Sequence, residues 1–129
     1  MTAWRRMGGG LLPLVGLIAI VTGFGAAGAP RPIGRLLDIS GRNFHIVCRG
    51  SGSPAVILES GTGEFSFDWV LVQSSIAKVT QICAYDRAGY AWSDMSGGFE
   101  QFTAIAADMQ NLLQKAGIRP PWVLVGSMA

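Results

Sequence analysis

Gln81-Ile82-Cys83-Ala84-Tyr85-Asp86-Arg87-Ala88-Gly89-Tyr90-Ala91-Trp92-Ser93-Asp94 is the stretch that decides how this chain is read. Gln81–Tyr85 is a short apolar run closed by polar and glycine-bearing residues, the pattern of a strand covered on both faces. Ala55-Val56-Ile57-Leu58 upstream and Trp122-Val123-Leu124-Val125 downstream repeat it. Two helices fall between these runs. Ser66 caps the first, Asp68 sits in its first turn beside the positive end of the dipole, and it extends to about Lys78. Thr103 caps the second, whose residues Ile105, Met109, Leu112, Leu113 and Ala116 make one apolar stripe. Gly117 stands where a left-handed C-cap belongs, and Pro120-Pro121 prevents continuation. Ahead of all this, Gly34–Asp38 and Asn43–Cys48 flank Ile39-Ser40-Gly41-Arg42 and read as a β-hairpin. The fold class is therefore α/β, a hairpin followed by β-α-β-α-β in a mostly parallel sheet.

Composition narrows the partners. The 129 residues carry 10 Lys+Arg against 8 Asp+Glu, with one His and two Cys. Charged residues are 14% and apolar residues 50%, which excludes a disordered chain and suggests a segment that never meets water. Arg5 and Arg6 are followed by no charge until Arg31, and Leu11–Val21 is strongly apolar with Ala27-Gly28-Ala29 after it. Residues 1–29 are expected to be a secretory signal peptide cleaved after Ala29, or a retained membrane anchor through residues 7–29. Residues 30–129 form the working part, secreted, periplasmic or held outside the cytoplasm by the anchor. That part is close to neutral and shows no clustered basic face, so no nucleic-acid partner is implied. His45 and Cys48 lie three apart on a strand and point to opposite faces, so they cannot share a metal ion.

Ligands of such sheets bind beyond the carboxyl ends of the parallel strands. Three ends are visible: Glu59-Ser60-Gly61-Thr62-Gly63-Glu64, Asp86–Asp94, and Gly126-Ser127-Met128-Ala129. Together with the preceding hairpin and the order of elements, these stretches resemble the α/β-hydrolase family, its esterase-like and peptidase-like members in particular. The resemblance runs from about Gly34 to Ala129 and implies the N-terminal half of such a sheet.

In that family the strand ending at Val125 delivers a serine nucleophile on a Gly-x-Ser-x-Gly turn. Backbone N–H groups hold the oxyanion of the acyl-serine reaction. The resemblance thus implies Ser127 as nucleophile, Thr62 as one oxyanion donor and Met128 as the second, acting on a small-molecule acyl substrate without a cofactor. The spacing departs from the pattern, because Met128 occupies the slot two residues after Gly126 and Ser127 comes one position early. His45 is the only histidine and precedes Ser127 on an early strand, so no complete triad is present and this chain is expected to be inactive. A methyltransferase-like fragment binding S-adenosylmethionine at Gly61 and Gly63, with Asp86 as ribose-binding acid, is the alternative, along with a non-catalytic exported fragment.

Other residues carry blander expectations. Asp86 and Arg87 read as an internal ion pair, and acids at strand ends commonly accept backbone N–H bonds. Trp69, Tyr90 and Trp92 could line an acyl pocket. Cys48 and Cys83 fall on neighbouring strands of the family's sheet and are expected as core thiols, a disulfide remaining open in an exported protein.

Overall fold

The computed structural model describes residues 30–98 and 101–128. Five strands form one sheet: β1 (Arg35–Ile39), β2 (Arg42–Arg49), β3 (Ala55–Glu59), β4 (Ile82–Tyr85) and β5 (Trp122–Gly126). Their spatial order is β1-β2-β4-β3-β5. The hairpin β1–β2 is antiparallel, β2 lies antiparallel beside β4, and β3 runs parallel to both β4 and β5. Ser40 at φ 55° and Gly41 at φ 84° make the hairpin turn.

Two helices cover opposite faces. A 3-10 turn (Ser66–Trp69) leads into α1 (Val70–Ile76), and α2 spans Phe102–Ala116. Strand alternation sorts the core accordingly. Phe44, Ile46, Ile57, Cys83 and Tyr85 pack with Leu112 and Leu113 of α2. Val47, Leu58, Ile82 and Ala84 pack with Trp69, Ile76 and Ala77 on the α1 side. The order of layers is α2, sheet, α1, as the apolar runs predict.

Three local expectations change. Ser66 does not cap the first helix. Phe65 holds the extended cap position (φ −152°), and its N–H donates to Asp68 Oδ2 at 2.9 Å. The serine side chain has turned inward instead. Thr103 likewise lies inside α2, because Ala104 and Ile105 N–H both close on the Gln101 carbonyl, starting the helix two residues earlier. Gly117 adopts the left-handed conformation expected of it, at φ 80°. The third change concerns β5, read as buried: Val123, Leu124 and Val125 are 45%, 57% and 39% exposed. β5 is the outermost strand of the described sheet, so among the described residues nothing covers its outer side.

Cys48 and Cys83 face each other in the β2–β4 register and are joined in a disulfide, correcting the expectation of two core thiols. Directly opposed positions on an antiparallel pair bring the two Cβ atoms within bonding reach, with the Cα atoms 4.0 Å apart. No helix among the described residues is long and apolar enough to cross a membrane. The leader or anchor expected at residues 1–29 lies outside the described residues.

Candidate active site

All three strand ends singled out in the sequence sit on one rim. A cavity of about 550 Å³ there is bounded by Gly61 and Thr62 after β3, Arg87 after β4, and Ser127 and Met128 after β5. Phe102, Ile105 and Met109 of α2 supply an apolar wall. Thr62, Ser127 and Met128, the three residues with expected catalytic roles, are thereby brought together.

Ser127 is held from both sides. Its N–H donates to the Glu59 carbonyl at 3.1 Å, continuing the β3–β5 ladder by one residue. Its hydroxyl accepts the Gly61 N–H at 3.0 Å and donates to the Glu64 carboxylate, which also accepts the Gly61 N–H at 2.9 Å. The Ser127 hydrogen bond and then the Gly61 N–H hold the Glu64 carboxyl below the usual range, against burial, with Arg87 adding to the depression. A carboxylate that holds its proton so weakly is a poor general base near neutral pH. Glu64 was not among the residues the sequence singled out for a role; its place three residues after Gly61, in a turn closed by Glu64 N–H to the Gly61 carbonyl, is the local signal for it.

Below the rim, Tyr85 donates its hydroxyl hydrogen bond to Glu59. Burial, then the charge of Glu59 and the hydrogen bond to it, raise the tyrosine pKa well above its usual range, so it stays a neutral donor. Arg87 spans the same corner: Nη2 donates to the Gly61 carbonyl at 2.9 Å, Nε lies 3.7 Å from Glu59, and the guanidinium sits 5.0 Å over the Tyr90 ring.

The expected Asp86–Arg87 ion pair does not form. Strand alternation carried past Tyr85 sends the two side chains to opposite faces. Arg87 joins the rim, whereas Asp86 turns to the α1 side and meets His45, Nδ1 to Oδ2 at 2.8 Å. The other expectation for Asp86 holds: it accepts backbone N–H groups, from Ser66 at 2.7 Å and from Trp92 at 3.4 Å. His45 Nε2 lies 2.9 Å from the Ile33 carbonyl, which can only accept, so that nitrogen carries a proton.

Burial alone would lower the His45 pKa, but the Asp86 hydrogen bond, the Ile33 carbonyl and the Asp86 charge together raise it above 6.5. Burial likewise favours a higher Asp86 pKa, yet hydrogen bonds from His45 and Ser66 and the imidazolium charge lower it below 3.8. The result is a buried ion pair with both ring nitrogens donating. Ser66 Oγ lies 3.3 Å from the same Nδ1. A catalytic relay needs serine and carboxylate on opposite ring nitrogens. Here they converge on one, and Nε2 is spent on the backbone, so this Ser-His-Asp cluster is a clamp between β2, β4 and the 3-10 turn.

Ser93 completes that clamp, accepting the His45 N–H at 3.0 Å and donating to the Asp86 carbonyl at 2.7 Å. Trp69, Tyr90 and Trp92 are not among the residues lining the rim cavity. Trp69 donates to Ser60 Oγ at 2.9 Å, and Trp92 lies against His45, ring centroids 5.0 Å apart.

Solved structures share the fold of this sheet and its helices. Epoxide hydrolase VrEH1 from Vigna radiata superposes with a TM-score of 0.65 at 20% identity, over 73% of this chain and 31% of that one. The enol-lactonase of Burkholderia xenovorans LB400 gives 0.63 at 18%, over 70% and 36%. A thermophilic esterase from Thermogutta terrifontis gives 0.63 at 21%, over 70% and 34%. This is an α/β-hydrolase fold. Among curated sequences, the uncharacterized protein YbdG of Bacillus subtilis is 27% identical over 94 residues, 71% of this chain and 29% of YbdG. No protein-family model matches. The chain spans between 12% and 35% of the length of the curated relatives it matches, so it presents part of an α/β-hydrolase fold.

Strand order also separates this sheet from the doubly wound dinucleotide fold. In a doubly wound dinucleotide fold the third parallel strand lies beyond the second, in the order 3-2-1. Here β5, the third, pairs with β3, the first, and the antiparallel β2 occupies the far side of β4.

Proposed function

We propose that this chain is the N-terminal portion of an α/β-hydrolase that cleaves an ester, amide or related acyl bond of a small molecule through an acyl-serine intermediate. Ser127 is the nucleophile, and the N–H groups of Thr62 and Met128 hold the oxyanion, each such donor contributing roughly 3–4 kcal/mol to the barrier reduction. The observation that carries the reading is the position of the Ser127 hydroxyl: at the carboxyl end of β5, in the rim cavity, 3.0 Å from the Gly61 N–H. Epoxide hydrolases, a lactonase and an esterase share the fold, and their named substrates are small molecules. A fold alone does not assign chemistry, so the assignment rests on the site.

The chain by itself is inactive in this reading. Its one histidine is locked to Asp86 and Ile33 and lines no part of the rim cavity, and Glu64, which accepts the Ser127 hydroxyl, holds a proton too weakly to serve, so among the described residues no effective base takes the Ser127 proton. Treatment with a fluorophosphonate probe is expected to leave Ser127 unlabelled, and labelling there would overturn the inactivity. Translation of the DNA downstream of codon 129 in all frames is expected to yield an aspartate and then a histidine in hydrolase-like context. The joined protein should label at Ser127 and lose the label in Ser127→Ala; an unchanged label would remove the nucleophile assignment. The domain is proposed to be exported, which suits its disulfide, since such bonds persist in oxidising compartments.

A further inference from the structure

A second cavity, of about 210 Å³, opens on the α1 side of the sheet, away from the rim. Its composition follows from strand parity: His45, Val47 and Arg49 are alternate residues of β2 and point to one face. Phe67 and Val70 of the 3-10 turn and α1 close one side, and Trp92 and the segment bearing Arg31 and Ile33 close the other. That segment runs tight against His45. A Cβ on Gly34 would stand 2.6 Å from the Ile46 carbonyl and 2.9 Å from His45 Nε2, and Gly34 itself sits at φ 127°.

The lining is mostly apolar, yet its charges are of one sign. Arg31 and Arg49 stand at its mouth, both exposed, and among the described residues neither has an ion-pair or hydrogen-bond partner. No acidic side chain lines the cavity. Asp86 lies behind it, fully occupied by His45 and Ser66, so the imidazolium adds no free charge. An apolar pocket edged by two exposed guanidiniums that no carboxylate pairs suits one ligand chemistry: a carboxylate head for the planar fork of arginine, and an aliphatic tail for the interior.

We propose that this cavity binds a medium-chain monocarboxylate, tail against Val47, Phe67 and Val70 and head between Arg31 and Arg49. The site is separate from the rim cavity and does not depend on the acyl-bond chemistry placed there. Octanoate is the probe, titrated calorimetrically into the full-length chain below its micellar concentration. Saturable binding is expected, weakened roughly tenfold or more in Arg31→Gln/Arg49→Gln, as two charge-assisted hydrogen bonds are lost. Both arginines are exposed, so that variant keeps the fold. Val70→Trp, which fills the cavity, should abolish binding, while Ser127→Ala at the rim should leave it unchanged. Octan-1-ol, with the same tail and no charge, should bind at least tenfold more weakly than octanoate. Absence of saturable octanoate binding, equal affinity for octanol, or undiminished binding by the double arginine variant or by Val70→Trp would each overturn the proposal.

Discussion

His45 and Asp86 show how much one pair can carry. Both side chains are buried, and each of the four polar atoms that matters is satisfied within the clamp. Removing one charge from such a pair strands the other. Asp86→Asn is therefore expected to lower the free energy of unfolding by about 3–5 kcal/mol, read from urea denaturation. The same pair sets a pH dependence. His45 is raised above 6.5, so its contribution is complete below that value and is lost as pH climbs through the folded pKa. Asp86 is depressed below 3.8, so its contribution is complete above that value and is lost as pH falls through the folded pKa. Thermal melts should show a plateau of stability between about pH 4 and 6.5 with a decline on the alkaline side. His45→Gln should flatten that alkaline limb. An equally steep decline in His45→Gln would assign it to other groups.

At the scale of elements, the disulfide decides how the hairpin is attached. β2 joins the parallel strands only through β4, and Cys48–Cys83 crosses that junction with a sequence separation of 35. Closing a loop of that size in the unfolded chain is worth about 3–4 kcal/mol in the chain-entropy picture. Cys48→Ala/Cys83→Ala should lose stability of that order, with the same loss on adding reductant to the unaltered protein. α2 was legible in advance because its apolar stripe repeats at helical spacing and its glycine cap is local. Its partner α1 was legible only in outline. Seven residues of α-helix follow a 3-10 turn whose serine serves the buried clamp, and no local signal separates a capping serine from one turned inward.

For the whole molecule, β5 is the feature with the widest consequence. Its exposed Val123, Leu124 and Val125 combine an apolar surface with an outer edge that has no neighbouring strand among the described residues. Such edges template association between chains. Sedimentation is expected to show concentration-dependent self-association of the chain, and Leu124→Lys to reduce it. A monomer at all concentrations would show that this edge is otherwise protected.

What the sequence by itself determined was most of what neighbours a few residues away govern, the two helix N-caps excepted. Apolar runs of four or five, helical stripes and turn residues defined the strands, the helices and the rim where the parallel strands end, which is where Gly61, Thr62, Ser127 and Met128 meet. Only the tertiary structure decided which strand lies beside which. That placement put Cys48 opposite Cys83, sent Asp86 to His45 across 41 positions while Arg87 went to Glu59, and left β5 on the outside. The physical reason is parity. A strand residue's side is fixed by alternation along its own strand, but the partner it finds there depends on sheet order, to which distant parts of the chain contribute equally.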